Sequence, residues 1–421
     1  MTSTLSPASR WLFLDMNSFF ASVEQLDHKA YHGKPVGVIP IDTDSTSFIA
    51  ASYEAKQLGV GMGMPVWEAR RRFPQLIIVK ARPARYVEVH KELLKACDKH
   101  APPDKVYSID EWSVRLTPRE QAVADAAGLA MRIKRQIAAD LGEQLRCSAG
   151  IAPTRLLAKI ACDLQKPDGL TALMPADLPA RLEHLEMHDL PGISTSMTAR
   201  LHKANVRCVR DLWGVTRQQA RAIWRSVVGE YWWCGFHGID VPEIATRRNM
   251  MGHSNVLEPR FRNEAGAHGI LVRLLCKLAM RLRFHGYFAN HLSAWVRHEC
   301  GRVWVDEIAL PCLQDTPTIL QQFEKIWQRR QRGLSALRST ATHVGPPKKV
   351  AVDVLRLVEA ADVPEPLFEE LNRPLRLSKV MDQINQKAGG HKLYFGSMHD
   401  YRHAMDDKIA FGRVPDETLA M

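Results

Sequence analysis

Little in this chain is paired, repeated or long. Its eight cysteines stand singly at 97, 147, 162, 208, 234, 276, 300 and 312, with no C-x-x-C pair. That scatter speaks against a zinc site and against a disulfide framework, and leaves reduced, mostly buried thiols. No apolar run approaches the ~20 residues that a membrane span needs, and the opening MTSTLSPASR lacks the apolar core of a signal peptide. The expectation is a cytoplasmic protein with no membrane partner. Internal repeats and low-complexity tracts are absent as well. What is present is an ordinary globular composition, 46% hydrophobic and 24% charged, over 421 residues. That length exceeds one compact core and suggests about two to four domains. Lys and Arg number 57 against 46 acidic residues, a net charge of +11 that suits a polyanionic partner.

RWLFL (10–14) is a short apolar run and predicts a buried strand. In the following DMNSFFASVEQL, Phe19, Phe20, Val23 and Leu26 fall at helical spacing, so Asp15 sits at a strand-to-helix corner. VYSIDEWSVRL (106–116) predicts a second strand, a helical stretch runs from about 118 to 141, and RCSAGIA (146–152) predicts a third strand. TRLLAKIACDLQ (154–165) reads as a helix ended by Pro167 and Gly169. Strands alternating with helices imply a packed α/β or α+β domain. From about 174 the texture changes to short helices broken by Pro and Gly, closing in a Trp-rich piece at 224–233, and VPEIATRR (241–248) reads as a basic linker. Beyond it come a strand, a helix (263–285), strands (290–299 and 302–310), a helix (316–331) and a strand (348–357). This βαββαβ succession suits a small two-layer domain. Past 358 no core pattern is sustained, and the expectation is a flexible tail with one short helix near 376–387.

Three carboxylates interrupt the apolar pattern. Asp15 ends one strand, and Asp110 and Glu111 are neighbours in another. An unpaired buried charge is costly, but clustered carboxylates are tolerated where they ligate divalent cations. Mg²⁺ typically takes one or two of them together with substrate phosphate oxygens. Two such ions stabilise the attacking and leaving oxygens of an in-line phosphoryl transfer. Adjacent strand residues point to opposite faces, so Asp110 and Glu111 can share a site only where the chain bends. An edge strand with solvated acids is the other reading.

DMNSFFASVE, ASYEAKQLGVGMGMP, YSIDE, GIAPTRLLAKIACDLQKPDG and DLPGIS occur in an order and spacing that resemble the Y-family DNA polymerases of the DinB/UmuC type, over residues 10–357. The resemblance implies an α+β right hand. Its parts are a ferredoxin-like palm (10–26 and 86–173), small fingers (27–85), a helical thumb with a helix-hairpin-helix (174–243), a βαββαβ little finger (249–357) and the tail (358–421). It implies template-directed transfer of deoxynucleotides to a primer 3′-hydroxyl, with low fidelity on damaged templates, in a bacterial protein working at the nucleoid. Asp15, Asp110 and Glu111 match the metal-binding triad for two Mg²⁺ ions, with Mn²⁺ as a substitute and the Met16 carbonyl as a further ligand. Phe20 matches the steric gate beneath the sugar, where trimming it would hardly touch the core, and Phe19 is the core residue beside it. Tyr53, Lys56 and Lys166 match contacts to the incoming deoxynucleoside triphosphate, with Lys56 where the family commonly has Arg. A point charge then replaces a bidentate fork.

LPGIS (190–194) resembles the turn of a helix-hairpin-helix, which offers backbone N–H groups to a DNA phosphate through Gly192 and Ser194, the latter replacing a usual Gly. Arg247, Arg248, Arg260, Arg262, Lys348 and Lys349 are candidate phosphate contacts to primer–template DNA. Leu367 and Phe368 in EPLFEELNR resemble the anchors of a sliding-clamp motif, although Pro364 stands where its Gln would be. Small residues in the fingers (Ser47, Ala50, Ala51, Gly63) imply a loosely covered nascent base pair. Trp112 follows the Asp-Glu pair where the family has a small residue; its indole either reshapes the metal site or packs beneath the palm. A family member acting as a non-catalytic adaptor and a different two-metal enzyme, a nuclease or cyclase, are the competing readings.

Overall fold

The computed structural model describes residues 8–242, 247–339, 345–364, 369–388 and 392–402. Two compact units divide them, one up to residue 242 and one from 247.

The first unit follows the succession β1 (Trp11–Met16), α1 (Phe19–Asp27), β2 (Val36–Ile39), β3 (Ala50–Ala51), α2 (Tyr53–Gln57), α3 (Val66–Arg72), β4 (Ile77–Lys80), α4 (Pro83–Asp98), β5 (Pro103–Val106), β6 (Glu111–Arg115), α5 (Val123–Asp140), β7 (Cys147–Ala152), α6 (Arg155–Leu164) and β8 (Leu170–Ala172). Its main sheet has the order β5-β6-β1-β7-β8, with β1 at the centre. Alternation along β1 splits its side chains between two cores. Leu12, Leu14 and Met16 join α1, α4 and α5 on one face, and Trp11 and Phe13 meet α6 on the other. The approach of α6 depends on Gly150 in β7, where a Cβ would stand 2.0 Å from the Ala158 carbonyl oxygen. A smaller sheet, β3-β2-β4, packs with α2 and α3 around Ile39, Phe48 and Val66. Then α7 (Thr195–Lys203), α8 (Val209–Trp213), α9 (Arg217–Trp224) and α10 (Val228–Phe236) form a helical layer, tied by the stacked Trp224 and Trp232 rings, 5.2 Å apart.

The expected second strand is folded differently. Residues 106–116 comprise the end of β5, a bend at 107–110 and β6, and the Tyr107 and Ser108 N–H groups donate to the Glu111 carbonyl across the bend. Asp110 therefore lies in the bend and Glu111 opens β6.

The second unit contains β9 (Met250–Val256), α11 (Glu264–Phe284), β10 (Tyr287–His298), β11 (Val303–Leu313), α12 (Thr316–Ser339), β12 (Pro347–Glu359) and α13 (Glu369–Lys387). Its antiparallel sheet, β11-β10-β12-β9, packs against α11 and α12 through Leu271, Leu275, Phe323 and Val352. The order βαββαβ is the one expected from sequence. Past 358 the described residues include a long helix, α13, where one short helix near 376–387 is expected. α13 packs on α11 and α12 with Ser378 and Asn385 buried, and Met398 enters the core of the unit. Arg283 pairs with Asp382 at 2.6 Å, and Asn385 clasps both backbone groups of Leu393 at 2.8 Å. The helix thus begins earlier than the short one expected near 376–387, and it docks partly through polar pairs that leave no apolar period in the sequence.

Candidate active site

β1 carries Asp15 on the same side as Trp11 and Phe13, toward α6. Directly opposite residues of an antiparallel pair share a side, and Asp15 is opposite Glu111 on β6 and Ser148 on β7. Asp110 comes in from the hairpin bend, held by the Met16 N–H donating to its carbonyl at 2.9 Å and by the Ser108 hydroxyl donating to its carboxylate at 2.5 Å. The bend supplies the condition that a straight strand could not meet. Trp112 lies one residue on and points the other way; fully buried, its indole donates to Cys97 Sγ at 3.2 Å. The indole thus packs beneath the sheet.

From α6, Lys159 donates to Asp15, to Glu111 at 2.6 Å and to Asp163 at 3.1 Å. Lys166, just past the helix, donates to Asp15 at 2.7 Å and pairs with Asp163 at 2.8 Å. Burial alone would push the Asp15 carboxyl up, but Lys159 and Lys166 bring it below the usual carboxylate range. Glu111 is pushed up to about 7 by burial and by Asp15, against the pull of Lys159. Asp110 is raised by burial, with Asp15 adding to the effect. Lys159 and Lys166 are raised in spite of burial, because Asp15 and Asp163 favour the ammonium forms.

The residues expected around a triphosphate stand beside this cluster. Lys56 donates to the Ser18 hydroxyl at 2.8 Å and lies 4.4 Å from the centre of the Tyr53 ring. Burial and the nearby Lys166 lower its pKa; burial raises that of Tyr53. Phe19 and Phe20 are both buried, and Phe20 stacks on Tyr86 with centroids 4.6 Å apart. Phe20 is therefore packed as well as placed, and trimming it does touch the core. Asn17, which carried no expectation, joins the loop that follows α6 to the strand corner. Its Oδ1 accepts from the Asp168 N–H at 2.7 Å and its Nδ2 donates to Ser148 at 3.1 Å. Lys159 and Asp163 were missed too. The signal was their i, i+4 spacing, continued by Lys166 at i+7, which is one stripe of a helix.

Residues 14–163 match the model of the impB/mucB/samB family, and residues 248–364 match the model of its C-terminal domain. The DNA polymerase IV of Moorella thermoacetica is 30% identical over 390 residues, covering 90% of this chain and 93% of that one. This chain belongs to the Y family of DNA polymerases, the DinB/UmuC type. The DNA polymerase IV of Bacillus anthracis is 27% identical over 403 residues, 92% of each chain. In fold the chain is similar to a Y-family DNA polymerase chimera of Dbh and Dpo4, with a TM-score of 0.68 and 22% identity over 83% of this chain and 99% of that one. It is also similar to an insertion ternary complex of Dbh DNA polymerase, with a TM-score of 0.52, 23% identity and the same coverage. As a Y-family member it is a DNA-directed DNA polymerase of the translesion class.

Y-family polymerases generally use divalent metal ions. Among the described residues no three His, Cys, Asp or Glu side chains are gathered to hold an ion as they stand; the Lys159 ammonium sits between Asp15 and Glu111. The donor set fits such an ion all the same, since converging carboxylate oxygens, held together by positive charge, are the ligands a hard divalent cation takes.

The remaining expected contacts are dispersed. Gly192, at φ +84°, turns the chain ahead of α7, and Ser194 caps that helix by accepting from the Met197 N–H at 3.4 Å. A single 3-10 turn, Met187–Asp189, precedes this turn where a helix-hairpin-helix has its first helix. In the second unit Arg247, Arg248 and Lys348 are exposed, Arg260 and Arg262 pair with Glu258 and Glu299, and Lys349 lies over the Trp295 ring. Leu367 and Phe368 lie outside the described residues.

Proposed function

We propose that Asp15, Asp110 and Glu111, with the Met16 carbonyl, hold two Mg²⁺ ions during template-directed addition of a deoxynucleotide to a primer 3′-hydroxyl. The observation that carries this reading is the approach of three carboxylates from a central strand and a hairpin bend, Asp15 buried and Asp110 and Glu111 half-buried, offset by two lysines. When bound, the ions supply positive charge against that developing on the reacting phosphate. Lys166, Lys56 and Tyr53 lie on the side of the cluster nearest α2 and are suited to orient the triphosphate, with Lys56 acting as a point charge. Phe20 is read as the gate beneath the sugar.

The palm is residues 10–26 and 86–173, the fingers 27–85, the thumb 174–243 and the little finger 249–357. Backbone N–H groups at Gly192 and Ser194 in the thumb, and the cations Arg247 and Arg248 just ahead of the little finger, take hold of the DNA phosphates. Leu367 and Phe368 anchor a sliding clamp. The small residues Ala50 and Ala51 support a lightly covered base pair and lesion tolerance.

The test is Asp110→Asn. Losing a ligand from the cluster disables chemistry, whereas grip on the duplex comes from distant cations. Incorporation with Mg²⁺ should drop at least about a hundredfold, with primer–template binding by fluorescence anisotropy close to wild type. Extension near the wild-type rate would end the triad assignment. A wild type that extends nothing would hand the reading to an adaptor.

A further inference from the structure

The ammonium of Lys159 has three N–H donors, and each has a carboxylate: Asp15, Glu111 and Asp163. The first two belong to the proposed metal ligands and the third does not. Asp163 stands one turn along α6 from Lys159, and its carboxylate also receives Lys166. An ammonium and a divalent cation compete for these carboxylate oxygens, because their charges repel and each takes up lone pairs. A metal ion arriving at those oxygens pushes the ammonium away, and the acceptor already in contact is Asp163.

We propose that Lys159 is a built-in counter-cation that holds Asp15 and Glu111 in place before metal entry, and that Asp163 takes it over when the metal binds. Lys159 and Asp163 are positioning residues here. The proposal rests on the metal reading of the Asp15–Asp110–Glu111 cluster. It gives one helix stripe two tasks: Lys159 keeps like-charged carboxylates together without metal, and Asp163 provides the place to which it withdraws. Lys166 loses its Asp15 contact at the same moment and becomes available to a triphosphate.

The experiment is a titration of the full-length chain with Mn²⁺, free ion being read by electron paramagnetic resonance, without DNA or nucleotide. Lys159→Met should bind Mn²⁺ at least about fivefold more tightly than wild type, since a competing cation is gone. Asp163→Asn should bind at least about fivefold more weakly, since Lys159 has nowhere to go. In the Lys159→Met background the Asp163→Asn change should move affinity by less than about twofold, the non-additivity expected of residues that act through each other. Lys159→Arg, which keeps the charge, should stay with wild type, and melting curves exclude misfolding of any variant. Equal or weaker binding in Lys159→Met, or strictly additive effects in the double variant, would overturn the proposal while leaving the metal site intact. If wild type binds Mn²⁺ no better than Asp110→Asn, the metal reading fails and takes this inference with it.

Discussion

Phe20 is a residue with two obligations. It stacks on Tyr86, whose hydroxyl donates to Glu24 at 2.7 Å, and Glu24 in turn receives Arg82. Removing the whole ring therefore leaves a cavity in addition to any effect on the proposed gate, and Phe20→Ala should cost about 3–5 kcal/mol in stability. A partial trim separates the two effects. Phe20→Leu keeps most of the volume, so its melting temperature should fall much less than that of Phe20→Ala. Its ribonucleotide-to-deoxynucleotide efficiency ratio should rise at least about tenfold, about 1.4 kcal/mol of lost discrimination. An unchanged ratio in a well-folded Leu variant would remove Phe20 from the sugar side of the site.

At the scale of elements, the β5–β6 hairpin bend matters most, since it delivers Asp110. His90 on α4 secures the bend from below, its Nδ1–H donating to the Ile109 carbonyl at 2.7 Å. Burial lowers the pKa of this histidine below its usual value. A depressed folded-state pKa means that the neutral ring stabilises the fold above the unfolded value of about 6.5, and that this is lost as pH falls through the folded value. His90→Phe keeps the bulk but leaves the carbonyl without its donor, an expected loss of about 1–3 kcal/mol. The variant should also lose less stability than wild type between pH 7 and pH 5, read from denaturant unfolding at each pH. Parallel pH curves for the two proteins would show that His90 does not titrate with folding.

At the scale of the whole molecule, residues 392–402 are part of the second unit. Met398 lies in its core, and the Tyr401 hydroxyl donates to the Ala265 carbonyl at 3.1 Å beside Gly269. A Cβ at 269 would meet the Tyr401 ring at 2.1 Å. Gly269→Ala should therefore dislodge residues 392–402, and trypsin should cut at Lys392 and Arg402 sooner than in wild type; an unchanged digestion pattern would mean the segment adapts. Clamp engagement is a separate matter. Changing Leu367 and Phe368 to Ala should leave synthesis on short primers unaltered and reduce it on clamp-loaded DNA, because each side chain contributes roughly 1.5–3 kcal/mol when fully buried. Equal stimulation by the clamp before and after would move the anchor elsewhere in the tail.

The order of elements was legible in the sequence because each has a period of its own. RWLFL and RCSAGIA are short apolar runs, TRLLAKIACDLQ repeats at helical spacing, and the βαββαβ half alternates between the two. The carboxylates were legible because acids have no packing reason to sit in such runs. Tertiary structure alone decided which side chains meet them. The bend at Asp110, the inward turn of Trp112 and the approach of α6 over Gly150 depend on contacts between segments far apart in sequence, and local periodicity carries no information about such contacts. Nothing local to Lys159 and Asp163 says what they face; the sheet beneath α6 decides it by turning Asp15 and Glu111 toward them. The tail helix, expected only near 376–387, starts earlier, at Glu369; it docks largely through Asp382, Ser378 and Asn385, and polar residues that pair across a protein look, in sequence, like residues facing water.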